Sequence, residues 1–197
     1  SVISTISSSL KIKKEMNILD DKEFYEALQN INKTSEHLSN TIDDFRNFFS
    51  PNKEMNKFYV SQLIKKSKDL IKSRFDKFNI KVIENIDDIE ILSYQNELFQ
   101  VILNLFSNSI DVLSSNEIED KIIHIKIYQD ENNLCIEFLD NGGGIKDEFI
   151  NRVFEPYFTT KHKSQGTGIG LYMSLQIVTK HLNGEISVKN DTFIENN

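Results

Sequence analysis

Between residues 22 and 50 the apolar positions advance in alternate steps of four and three: Phe24, Leu28, Ile31, Ser35, Leu38, Ile42, Phe45 and Phe49. This is a heptad a/d seam with one polar member, Ser35, and it leaves little choice but one long amphipathic helix. Asp20 or Asp21 can cap its start, and Pro51 ends it. Residues 1 to about 19 predict a weaker helix on Ile3, Ile6, Leu10 and Met16, diluted by serines, with a polar break at 17–21. Two helices joined by a short connection form an antiparallel hairpin, which has too little core alone. A second copy completes a four-helix bundle, so a homodimer through hairpin 1–51 is expected. Packing of the hairpin on the rest of its own chain is the alternative.

Pro51-Asn52-Lys53-Glu54 reads as a linker and places a second domain at 55–197. There the periodicity switches repeatedly. Residues 58–60 predict a short strand. Ser61 can cap a helix to about 77, with Leu63, Ile64, Leu70, Ile71 and Phe75 on its apolar face. Strands are expected at 80–86 and 90–94, then a helix at 96–114 that buries Leu98, Val101, Ile102, Leu105 and Ile110. Segments 122–128 and 134–139 predict a β-hairpin. A short helix at 146–153 interrupts a long loop. A helix from 167 to 182 closes at Asn183-Gly184, and 185–189 predicts a last strand.

A chain of 197 residues with 39% apolar and 27% charged residues suits a globular protein, and no apolar run approaches a membrane span. The net charge of −7 disfavours nucleic-acid binding, which usually needs a basic face. Cys135 is the sole cysteine, so there is no disulfide framework or cysteine-cluster metal site. His37, His124, His162 and His181 lack metal-ligand spacing. Ser1-Val2-Ile3-Ser4 has no initiator Met and no basic leader, and is expected to be a cut within a longer protein.

Four stretches carry chemistry. Asn104, Asn108 and Asp111 lie at i, i+4 and i+7, on one face of the 96–114 helix. An Asn oxygen is a hard ligand suited to Mg²⁺, although a solvent-facing stripe would look the same. Asp140-Asn141-Gly142-Gly143-Gly144 follows an alternating strand; a carboxylate there can accept a hydrogen bond from a ligand amino group, and glycines let a ligand approach the backbone. Phe154-Glu155-Pro156-Tyr157-Phe158-Thr159-Thr160-Lys161 suits a flap, with Lys161 in reach of a phosphate or merely solvated. Gly166-Thr167-Gly168-Ile169-Gly170-Leu171 opens a helix, where bare N–H groups and the dipole attract an anion. It follows no strand and lacks a Gly-Lys-Ser/Thr ending, so it is neither a dinucleotide fingerprint nor a P-loop.

The order of these stretches resembles the N, G1, F and G2 boxes of the GHKL (Bergerat) ATP-binding domain of sensor histidine kinases, over about residues 55–197. The hairpin, including 42–49, resembles the second helix of the family's dimerisation and histidine-phosphotransfer domain. The resemblance implies an α+β chain, with a helical hairpin followed by a two-layer α/β sandwich. It implies ATP and Mg²⁺ as ligands. Asp140 would accept the adenine amino group, and Gly142 and Gly144 would leave room for the base. Asn108 would coordinate Mg²⁺, and Asn104 would lie by the phosphates. Residues 154–165 would form the lid, and Gly166, Thr167, Gly168 and Gly170 would sit against the phosphates. Asp111, Ile145, Phe158, Thr159, Thr160, Lys161, Ile169 and Leu171 complete the implied nucleotide set.

The same resemblance implies transfer of the γ-phosphoryl group to a His and on to a response-regulator Asp. Two departures matter. Ser109 stands where the family usually has Ala. None of the four His fits the acceptor motif, so the acceptor is expected upstream of Ser1, and this chain alone is expected to hold no catalytic His. Implied partners are a second copy and a receiver domain. The implied location is the cytoplasmic portion of a membrane-anchored bacterial protein, with any anchor outside these residues. Rivals are a gyrase-, Hsp90- or MutL-like ATPase, and a nucleotide-binding dimerising scaffold without kinase activity.

Overall fold

The structure, a computed structural model, describes residues 2–48, 54–131, 133–161 and 166–191. The chain divides into two compact units: Ser1–Pro51 with Thr159–Thr167, and Asn52–Phe158 with Gly168–Asn197. Among the described residues, no helix is long and apolar enough to cross a membrane.

In the first unit, α1 (Val2–Glu15) and α2 (Asp21–Phe48) pack together, and Lys13 Nζ lies 2.6 Å from Glu23 Oε1. α1 stops four residues before the expected end. Asn17 takes a left-handed φ of 55°, the Ile18 N–H reaches Lys13 O at 3.0 Å, and the Asn17 N–H reaches Lys14 O at 3.2 Å. That pattern is a Schellman closure, which satisfies the last carbonyls of a helix. Asp20 caps α2: its Oδ1 accepts the Glu23 N–H at 2.7 Å. On the seam, Phe24 and Leu28 remain 40% and 37% exposed in the single chain. The side chains of Leu38, Ile42, Phe45 and Phe49, and the helix stop at Pro51, lie outside the described residues.

The second unit starts with β1 (Asn56–Tyr59), which pairs antiparallel with β3 (Glu90–Ser93). α3 (Val60–Phe78) begins one residue before the expected cap. Ser61 does not cap it; its hydroxyl donates to Asp88 instead, and the Val60 N–H bonds to Ile89 O at 3.1 Å. Val60, Leu63, Ile64 and Phe75 are buried, but Leu70 is 64% exposed. Ser67 takes the inward position instead, with its hydroxyl donating to Leu63 O at 2.8 Å, which removes most of the cost of burying it. α3 ends at Asn79, whose φ of 53° is left-handed.

β2 (Ile80–Ile86) pairs parallel with β4 (Lys121–Asp130), and β4 pairs antiparallel with β5 (Asn133–Asp140). The sheet order is β2-β4-β5. Between β3 and β4 runs α4 (Gln95–Ser115), which packs against α3 on one side and α6 (Gly170–Lys180) on the other. Ile123, Ile125 and Ile127 alternate on the inner face of β4 and are fully buried under the helices. Phe106 is the centre of this core. It is wholly buried, edge-on to Phe75 at 5.4 Å and to Phe138 at 5.0 Å. Burying a side chain of this size contributes about 1.5–3 kcal/mol. Leu105, expected inside, is only half-buried, and Phe106, Ser109 and Leu113 complete the inward face.

α5 (Asp147–Ile150) is a single turn. α6 starts three residues later than expected, because Gly168 has a φ of 66° and cannot be helical. It ends at Lys180, two residues before the expected end, and the chain then turns at left-handed Asn183, with the Gly184 N–H bonding to Val178 O at 2.9 Å. Among the described residues, 185–189 join no ladder, so the strand expected there is not seen.

Candidate functional site

β5 delivers Asp140 to the end of the sheet, and α4 runs beside it. Both carboxylate oxygens of Asp140 are held. Ser109 Oγ donates to Oδ2 at 2.8 Å, and the Gly142 N–H donates to Oδ1 at 3.0 Å. The second contact is an Asx-type turn, in which a short acidic side chain hydrogen-bonds the backbone two residues on. Gly142 has no room for a side chain: a Cβ there would overlap Val112 Cγ1 and come within 2.8 Å of Asp140 Oδ1. Asn116 Nδ2 donates to Gly142 O at 2.6 Å.

The neighbouring Asn141 is structural. Its Oδ1 accepts the Ile122 N–H at 2.9 Å and its Nδ2 donates to Asp120 O at 2.6 Å, so the turn is stapled to the start of β4. Further along, Asn190 grips Ile145 through both backbone groups: the Ile145 N–H reaches Oδ1 at 2.8 Å, and Nδ2 reaches Ile145 O at 2.6 Å. Gly144, at a φ of 75°, passes close under that amide.

α4 also touches the start of α6. Asn104 Nδ2 donates to Ser174 Oγ at 2.8 Å, and its amide lies so close over Gly170 that a Cβ there would overlap Asn104 Oδ1. The N-cap residue of α6 is Ile169, whose side chain makes no capping bond. Leu171 and Ile169 flank that start, half-buried. Gly168 is enclosed by backbone: its carbonyl accepts the Tyr157 N–H at 2.9 Å, and a Cβ would sit 2.5 Å from Tyr157 C. Asn108 lies one turn beyond Asn104 on α4, half-buried. Asp111 is turned towards α3. Arg74 Nη2 lies 2.8 Å from its Oδ1, while Arg74 Nη1 donates to Ser107 Oγ at 2.8 Å.

Phe158 is held by Phe149, with ring centres 5.5 Å apart, and by the Arg152 guanidinium 4.5 Å over its face. Thr159, Thr160, Lys161, Gly166 and Thr167 belong to the first unit. There Thr159 Oγ1 accepts the Lys161 N–H at 3.1 Å, and Gly166 passes close to both residues. His162 and the rest of the lid to Gln165 lie outside the described residues.

α4 thus brings together Asn104, Asn108, Asp140, Gly142 and Gly170 within one unit. Sequence reasoning had no means of finding Arg74, Asn116, Ser174 and Asn190, which are polar residues far along the chain from their partners. Ser109 did leave a signal, as a hydroxyl on the buried face of a helix next to Asn108.

Residues 93–195, just over half of the chain, match the family model described as histidine kinase-, DNA gyrase B- and HSP90-like ATPase. Sporulation kinase E of Bacillus subtilis (strain 168) is 32% identical over 135 residues, which cover 68% of this chain and 18% of that relative. The chain therefore spans only a small part of the curated relatives it matches. The catalytic domain of the histidine kinase ThkA superimposes with a TM-score of 0.63 at 27% identity, covering 71% of this chain and 89% of that one. The histidine kinase ThkA in complex with the response regulator TrrA shares the fold, with a TM-score of 0.69 at 22% identity over 92% of this chain and 51% of that one. With these relatives, and with a strand-end carboxylate and a glycine-started helix joined by one asparagine-bearing helix, the chain belongs to the histidine kinase-, DNA gyrase B- and HSP90-like ATPase family, as a histidine kinase catalytic ATPase domain.

Proposed function

We propose that the chain is the catalytic core of a sensor histidine kinase. It binds Mg·ATP and, in the longer protein, passes the γ-phosphoryl group to a histidine and from there to an aspartate of a response-regulator receiver domain. One observation carries this reading. The helix that anchors Asp140 through Ser109 also touches Gly170 through Asn104, so the strand-end carboxylate and the start of α6 share one support.

The residues fit the group. Asp140 accepts from the adenine amino group. Gly142 and Gly144 keep side chains out of the space beside the base. Asn104 and the turn at Gly168 and Gly170 stand at the phosphates, where the positive end of a helix favours an anion. Asn108 would hold Mg²⁺ through its side-chain oxygen, and the ion would supply charge neutralisation at the phosphates. Phosphoryl transfer asks mainly for alignment and electrostatics, and these are what such residues provide.

α1 and α2 serve as the dimerising and phosphotransfer helices, with 1–51 and 55–197 as the two functional domains. The half-exposed Phe24 and Leu28 support an apolar seam completed by a second copy. This region lies in the cytoplasm, where the nucleotide and receiver domain are, and any membrane anchor lies in other segments of the longer protein.

Calorimetry of Mg·ATP binding tests the site. Asp140→Asn replaces half of the acceptor with a donor and should weaken binding by about 30- to 100-fold while the melting temperature holds. Unchanged affinity overturns the adenine assignment. Asn108→Ala should reduce the gain in affinity on adding Mg²⁺ by about tenfold, as loss of one inner ligand does. A full Mg²⁺ effect in that variant removes Asn108 as the ligand.

A further inference from the structure

We propose that Ser109 is a positioning residue that sets base selectivity. It fixes Asp140 so that the site takes a purine with an exocyclic amino group and rejects one with an oxo group at the same place. The proposal rests on the assignment of Asp140 to the base.

Ser109 behaves unlike three other hydroxyls in these helices. Ser67, Ser115 and Thr179 all donate back to the carbonyl four residues earlier, Leu63 O at 2.8 Å, Asp111 O at 2.7 Å and Leu175 O at 2.7 Å. This local bond is the default for a hydroxyl inside a helix. Ser109 forgoes it and crosses to Asp140 Oδ2 at 2.8 Å. It does so while only 5% exposed, where a hydroxyl needs a partner.

The consequence is a fixed proton inventory. A serine hydroxyl has one hydrogen, and here it is spent on Asp140. A carboxylate has none. Oδ1 takes the Gly142 N–H and Oδ2 takes Ser109, one donor each, so the carboxylate plane is held at both ends and cannot swing about its terminal torsion, which is otherwise broad. What Asp140 and Ser109 offer a ligand is then lone pairs only, in one orientation. An amino group satisfies them. An oxo group meets lone pair against lone pair, and neither Asp140 nor Ser109 has a hydrogen left to turn towards it. A site built to hydrogen-bond one group discriminates strongly against an analogue that leaves buried polar groups unmatched. Removing the Ser109 hydroxyl frees one end of the carboxylate, lets it rotate and admits water, and the selectivity relaxes.

The test is binding of Mg·ATP and Mg·GTP to the whole chain and to Ser109→Ala and Asp140→Asn, by calorimetry, with a thermal melt of each variant. Ser109→Ala should weaken ATP about three- to tenfold, the value of one hydrogen bond to a charged group shared with water, and leave GTP unchanged, so the ATP:GTP ratio falls by that factor. Equal loss for both nucleotides overturns the proposal, since a merely structural role moves both together. So does an unchanged ratio in Ser109→Ala when Asp140→Asn has lost ATP; the base assignment then survives alone. Intact ATP binding in Asp140→Asn removes both. Should Ser109→Ala fail to fold, Ser109→Cys, which keeps the volume but donates weakly, carries the same comparison.

Discussion

Two glycine-bearing turns meet α4, and they are held in place by different forces. At the Asp140 turn the backbone is tied by side chains: Ser109 and Gly142 on the carboxylate, Asn116 on Gly142 O, and Asn141 on both Ile122 and Asp120. At the turn into α6 the restraint is crowding: Gly168 sits against the Tyr157 and Phe158 backbone, and Gly170 against the Asn104 amide. On the proposed assignment the first turn would read a base, which needs fixed donors and acceptors, and the second would face phosphates, which needs a backbone clear of side chains.

That contrast can be broken at the crowded end first. Gly168→Ala places a Cβ at a φ of 66° and 2.5 Å from Tyr157 C, a backbone atom that cannot step aside. The left-handed penalty of about 1–2 kcal/mol and an overpacking cost of similar size should together lower stability by about 3 kcal/mol in urea unfolding. A loss below about 1 kcal/mol would mean that crowding does not hold this turn. At the hydrogen-bonded end the expected effect is smaller. Gly142→Ala meets the Val112 side chain, which can rotate, so the overpacking cost should stay near 1–2 kcal/mol. The same variant pushes on Asp140 Oδ1, so its ATP affinity should fall by more than its stability implies. If binding and stability fall in step, the Asp140 turn is held by packing like the other, and the contrast disappears.

Much of this was legible in the sequence because periodicity reports burial. The seam from Phe24 places α2, and the alternation of Ile123, Ile125 and Ile127 places β4. The α4 stripe and the Asp140 turn could be read as ligand chemistry before any contact was known. The misses have physical causes. Leu70 lies at an angle on α3 that faces solvent, and Ser67 lies inside because its hydroxyl finds Leu63 O. Residues 185–189 alternate like a strand, but a strand is made by its ladder, and among the described residues these five have no ladder partner. The start of α6 waits for Gly170 because Gly168 holds a conformation that only the fold demands. Arg74 meets Asp111, and Asn190 meets Ile145, across long stretches of chain, and single polar residues carry no period that could announce such pairs.

The parallel pairing of β2 with β4 has a kinetic consequence. Ile80 lies opposite Lys121, so the chain closes a long loop before the first hydrogen bond of that ladder can form, and all of β3 and α4 lie inside it. Such closures are paid for in chain entropy ahead of any contact energy and slow the search for the native state. α4 is also the element that carries Asn104, Asn108 and Ser109. On the proposed site, nucleotide affinity would be available only to chains that have completed the crossover, and bound nucleotide would act as a latch against reopening rather than as a template for closing.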